Sequence, residues 1–231
     1  MGQTLTLSTH ARRAFEALAV DLQKIFADRF VCLVATGHQA SLALVTSLRA
    51  DDLDACGPLA HTWHHEGIST PLLLTTNEFE RSLDTFAIEF GAILDRHVVI
   101  AGQPPFAGVR IAADDLRRAC ETQAKGHLIH LREGWIEAGG HADHVARLLV
   151  ASAAPLRALL GNVARLQGAA PATREELAAL AGQGIGVPAD LLLAIFVLEK
   201  DPSGTAALVP RLPEYLAAAE RLWTFVDTWQ A

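Results

Sequence analysis

The chain of 231 residues is poor in several things, and each shortage excludes a class of protein. It has three cysteines, Cys32, Cys56 and Cys120, widely spaced, odd in number and with no C-x-x-C pair. That excludes a disulfide framework and a zinc knuckle, and reads as reduced thiols in a cytoplasmic protein. No apolar run approaches the roughly 18–20 residues of a membrane span, and no basic start precedes an apolar stretch as in a secretory signal. Basic residues are outnumbered, 19 against 26 acidic, for a formal charge of -7. Without a Lys/Arg patch or arm, nucleic acid is not the expected partner. "MGQTLT" formally fits the myristoylation pattern at Gly2 and Thr6, but the pattern is loose and the segment reads as the lead-in to a helix.

What is present is apolar material. Hydrophobic residues make up 51% of the chain, enough for one large core or two small ones and too many for disorder. The first half alternates helix and strand signals. Phe15, Leu18, Leu22, Ile25 and Phe26 recur at helical spacing over residues 9–29, with Ser8 or Thr9 as cap. "FVCLVAT" at 30–36 and "SLALVTSL" at 41–48 read as buried strands, and "STPLLLTT" at 69–76 as a third. Between them, residues 51–67 read as a helix that starts at an acidic cap around Asp51, with Pro58 either interrupting it or marking its first turn. "NEFERSLD" is a short helix capped by Asn77, and residues 86–102 supply one or two further strands.

Beyond Val109 no strand signal appears. A long helix ends at Gly139-Gly140, a second carries Pro155 and is expected to kink there, and three more follow, each with a Thr or Pro start. The expected architecture is α+β: a small mixed sheet domain over residues 1–108, then an all-helical domain over 109–231. No internal repeat or low-complexity tract is visible.

The stretch "ATGHQASLALVTS" at 35–47 carries the main functional question. A strand, a glycine turn and a second strand can set backbone N–H groups around a phosphate. Nucleotidyl transfer also needs carboxylates on the second strand to hold two metal ions. The order of elements resembles the minimal nucleotidyltransferase-like proteins of bacteria. The likeness spans residues 15–140, with "TPLLLTTNEFERSLDTFAIEFGAILDRHVVIAG" and the following "DLRRACETQAKGHLIHLREGWIEAGG" similar to one branch. That family's signature is Gly-Ser, a spacer, then Asp-x-Asp or Asp-x-Glu. Here Gly37 precedes His38, and the acidic positions read Ser41 and Ala43. The resemblance puts the third family carboxylate on a later strand, where Glu89 or Asp95 stands, but one acid does not hold two metal ions.

Two readings follow from different classes. In the first, the chain is a non-catalytic nucleotidyltransferase-like protein that binds a nucleotide or a protein partner. Its ligand-binding candidates are Thr36, Gly37, His38, Ser41, Glu89 and Asp95, with Arg29, Arg49 and Arg96 as a basic wall. The helical domain would then pair as a homodimer or hold another protein. In the second, it is an active metal-dependent nucleotidyltransferase with displaced ligands, requiring Mg²⁺ and a nucleotide. The missing acid pair at Ser41 and Ala43 favours the first and weighs against an enzyme.

Other clusters have ordinary explanations alongside chemical ones. His61, His64 and His65 share a helix at i+3 and i+4 spacing suited to a metal, but also suit a solvated helix end. His127, His130, His141 and His144 flank a Gly-Gly turn and could form an acid–base centre, or simply edge a packed interface. Arg132 to His141 is too long for the Arg-His spacing of helical nucleases that accompany nucleotidyltransferases. "GQGIG" at 182–186 follows a helix and lacks a Lys-Ser/Thr, so a helix linker is expected. Tyr215, Leu222, Trp223, Phe225 and Trp229 form an aromatic stripe suited to core or dimer packing.

Overall fold

A computed structural model describes residues 5–230; Gly2 of the myristoylation pattern lies outside them. The fold is α+β, with a four-stranded mixed sheet and a helical remainder. It forms two compact units that meet in sequence between Ile111 and Ala112. No helix among the described residues is long and apolar enough to cross a membrane.

In the first unit, α1 (Thr9–Phe26) starts where the Ser8 hydroxyl accepts from the Ala11 N–H at 3.1 Å. A 3-10 turn at Ala27–Arg29 leads into β1 (Phe30–Ala35), which turns back as β2 (Ser41–Val45). Next come α2 (Ala50–His65), β3 (Leu72–Thr75), α3 (Thr76–Arg81), α4 (Ala87–Asp95) and β4 (Val98–Gly102). The strand order is β3-β2-β1-β4. β1 runs antiparallel to both β2 and β4, and β2 parallel to β3.

The pleat assigns alternate residues to opposite cores. Leu33, Ala35, Ala43 and Val45 pack with Phe15, Leu18, Leu22 and Phe26 of α1 and with Trp63 of α2. Cys32, Val34, Leu42 and Leu44 pack on the other face with Phe79 of α3 and Phe90 of α4. β1 and β2 are buried on both sides, which is why they read as continuous apolar runs. Burial raises the Cys32 thiol to about 11, so it stays protonated and inert.

Three expectations are corrected. Residues 87–95 are helix, not strand: Ala87, Phe90 and Gly91 are buried at spacings of three and one, a helical stripe. α2 runs unbroken through Pro58 rather than starting there. The cap of α3 is Thr75, whose hydroxyl accepts from the Glu78 N–H while the Glu78 carboxylate accepts from the Thr75 N–H, so Asn77 lies inside the helix.

In the second unit, α5 (Ala113–Ala138) stops at Gly139, whose φ of 56° is left-handed. α6 (Ala142–Leu166) returns along it with Val145, Leu149, Leu156, Leu160 and Val163 buried. α7 (Arg174–Ile185), α8 (Ala189–Val197), the single turn α9 (Thr205–Leu208) and α10 (Leu212–Thr228) complete the unit. The 3-10 turns flanking α9 and α9 itself were not anticipated from sequence. Gly182 and Gly184 belong to α7, and Gly186 caps it. Glu199 accepts from Arg157 and Arg174, and Arg211 joins Asp190 to Glu214.

Candidate functional site

The hairpin between β1 and β2 is closed on itself. The N–H groups of Thr36 and Gly37 both donate to the Ala40 carbonyl, at 2.9 and 3.2 Å. Two donors that would have faced a phosphate are therefore used within the turn. Gly37 does not need to be glycine: its φ is not left-handed, and an added Cβ would meet the Ala40 Cβ at an ordinary 3.7 Å. His38 stands exposed at the tip. The next residue, Gln39, accepts from the Ser69 N–H at 2.8 Å and ties the hairpin to the loop before β3.

Ser41 and Ala43, at the positions where the resemblance expects carboxylates, are buried at 4% and 0% exposure. The pleat turns them toward the core of α1 and α2. The Ser41 hydroxyl oxygen is buried there with no hydrogen-bond partner. Glu89 and Asp95 lie exposed on α4, which packs on the opposite face through Phe90. The sheet thus separates these acids from Ser41 and Ala43, and no common site gathers Thr36, Gly37, His38, Ser41, Glu89 and Asp95.

The three histidines of α2 are exposed. His64 Nε2 sits 3.1 Å from the Thr70 hydroxyl, and His65 Nδ1 lies 3.9 Å from the Glu66 carboxylate. Trp63 turns inward between them, and its indole N–H donates to Asp21 at 3.0 Å. Among the described residues, no group of three or more His, Cys, Asp or Glu side chains could hold a metal ion.

Of the basic wall, Arg29 is engaged elsewhere. Its guanidinium donates to both Asp52 carboxylate oxygens, at 2.6 and 2.7 Å, and to the Ser47 carbonyl at 3.2 Å. This hydrogen bonding holds Asp52 at about 2, helped by the Arg49 N–H, and raises Arg29 further. Sequence reasoning missed the pair. Asp52 is visible only as an acid in the first turn of α2, and nothing local links it to a residue 23 positions earlier.

The helical unit's histidines do not converge either. His127 points into the α5–α10 seam, with Nε2 2.8 Å from the Tyr215 hydroxyl. Burial, then the like charge of His130, lowers it to about 4. His130 faces solvent beside Glu133 at 3.2 Å, and His141 stacks loosely on His144 at 5.2 Å between ring centres. In the aromatic stripe Tyr215 and Leu222 are buried, while the Lys125 ammonium sits 3.4 Å over the Trp223 ring. A shallow groove of about 430 Å³ runs past Phe225 of the aromatic stripe, Thr224, Arg221 and Ile185.

Comparison with protein-family models, curated proteins and solved structures finds no significant match to this chain.

Proposed function

We propose that this chain is a non-catalytic protein of nucleotidyltransferase-like build that acts by binding, through a protein partner, rather than by transferring nucleotidyl groups. One observation carries the reading: the two β2 positions that would supply the metal-holding acids are Ser41 and Ala43, both buried beneath α1 and α2. A carboxylate pair must face solvent and substrate to share two cations. Here the sheet is covered on both faces, and the turn beside it uses its own N–H donors. The loss of a nucleotide cradle at Gly37 moves the weight of the proposal from nucleotide to protein.

Calorimetric titration with ATP, GTP, CTP and UTP, each with Mg²⁺, with Mn²⁺ and with EDTA, tests it. The expected result is no heat of binding that depends on the metal. Metal-dependent binding of any nucleotide would overturn the proposal and point to an active transferase with ligands displaced from β2.

A further inference from the structure

One row of residues along α10 carries a single charged side chain. Ala217, Arg221, Thr224 and Thr228 follow at spacings of four, three and four, which stacks them on one face of the helix. The short side chains at the other three positions leave a trough above the row. Half-buried Phe225 and, from the end of α7, half-buried Ile185 wall it with apolar surface. The result is the shallow groove of about 430 Å³. Its row spans roughly 16 Å, the reach of about five residues of extended chain.

The charges around this groove are one-sided. Glu220, at the rim, is matched by Arg132 of α5 at 2.6 Å. Arg221 is exposed and forms no ion pair with any described residue. Glu214 feels its charge, but that carboxylate is held by Arg211 at 2.7 Å. The groove therefore offers an uncompensated positive charge beside apolar walls, in a chain of net charge -7.

We propose that this groove docks an extended segment of a protein partner in which apolar side chains flank one carboxylate. The apolar side chains lie against Phe225 and Ile185, and the carboxylate meets the Arg221 guanidinium. The Thr228 hydroxyl donates to the Thr224 carbonyl at 2.8 Å, so toward a ligand it accepts, as a peptide N–H requires.

Two features select this occupant. A small ligand is mostly enclosed by its site, whereas this groove is shallow and long. A two-fold pairing of the groove with its own copy brings the two Arg221 side chains together with no carboxylate between them, which disfavours a second chain. The inference rests on the proposed binding role and adds its surface and the chemistry of the partner.

The test titrates full-length ¹⁵N-labelled protein with a pool of pentapeptides, acetyl-Gly-Φ-Asp-Φ-Gly-amide, with Φ drawn from Leu, Ile, Val and Phe. A matched pool carries Asn in place of Asp. Amide shifts are expected at Ile185, Arg221, Thr224 and Phe225, with binding of the Asn pool about three- to fivefold weaker, the contribution of one exposed ion pair. Arg221→Gln loses the preference for Asp, and Thr224→Trp, which fills the groove from an exposed position, loses both pools. If neither variant folds, the two pools on the wild type decide alone. The inference is overturned if the Asp pool shifts no groove residue at about 2 mM, enough to populate a millimolar complex. It is also overturned if the pools bind alike, if phenylacetate alone gives the same shifts, or if sedimentation shows a dimer that Thr224→Trp abolishes. Failure here, with nucleotide titrations free of metal-dependent heat, removes this surface and leaves the binding role standing; metal-dependent nucleotide binding removes that role itself.

Discussion

Arg29 and Asp52 form a two-pronged ion pair, 2.6 and 2.7 Å across its two hydrogen bonds, that locks the entry of β1 to the first turn of α2. The same carboxylate accepts from the Arg49 N–H at 2.9 Å, so one side chain caps a helix and anchors a strand. Asp52 is 6% exposed, and breaking the pair from either side strands the other charge. Arg29→Met and Asp52→Asn are each expected to lower the calorimetric midpoint of the first unit by about 5 °C or more at pH 7. The pH dependence adds a second readout. Asp52 sits at about 2 in the fold against an ordinary 3.8, so its stabilisation is complete above pH 4 and lost as pH falls toward 2. Asp52→Asn flattens the acid limb in that window.

Ala27, which leads into this pair, has φ 49° and ψ -118° at the end of α1, a conformation that suits glycine. Ala27→Gly is expected to stabilise the first unit by about 1 kcal/mol in urea unfolding, less whatever the freer unfolded chain takes back. A loss of stability would mean that the turn relaxes in solution.

Gly37 and Gly102 predict opposite responses to the same substitution. Gly37→Ala meets only an ordinary contact and is expected to change stability by no more than about 0.5 kcal/mol. Gly102 has φ 73°, and a Cβ there would run into the Val31 carbonyl on the neighbouring strand. Gly102→Ala is expected to cost more than about 3 kcal/mol or to prevent folding. Equal costs at the two positions would show that the hairpin at Gly37 is tighter than its hydrogen bonds indicate.

Ser41 carries a buried hydroxyl with no partner. Ser41→Ala removes that group and is expected to stabilise by about 0.5–1 kcal/mol. Ser41→Asp buries a carboxylate at the same point and is expected to lower stability without creating metal-dependent nucleotide binding. Gain of such binding would show that this edge of the sheet opens to solvent.

The elements that were legible in the sequence are those whose burial follows a simple period. α1 shows its stripe at Phe15, Leu18, Leu22 and Phe26, and these are the residues the sheet needs. β1 and β2 show unbroken apolar runs because both their faces are covered. By composition α4 reads as strand, because "FAIEF" is rich in residues that favour strands. Its spacing of Ala87, Phe90 and Gly91 held the helical signal, which composition outweighed.

The site was less legible than the fold. Residue types near Gly37 indicated what a phosphate turn could offer, but not that the Ala40 carbonyl takes both donors. They also could not show that Glu89 and Asp95 stand across the sheet from Ser41.

By itself, then, the sequence determined the α+β composition, most of the elements and the absence of an acid pair at 41 and 43, because these are local properties of residue type and period. Tertiary structure decided the partners: Arg29 with Asp52, His127 with Tyr215, and the sheet face on which each acid lies. These pairings join residues 23 and 88 positions apart. Such contacts depend on how whole elements pack, and no local pattern of side chains encodes them.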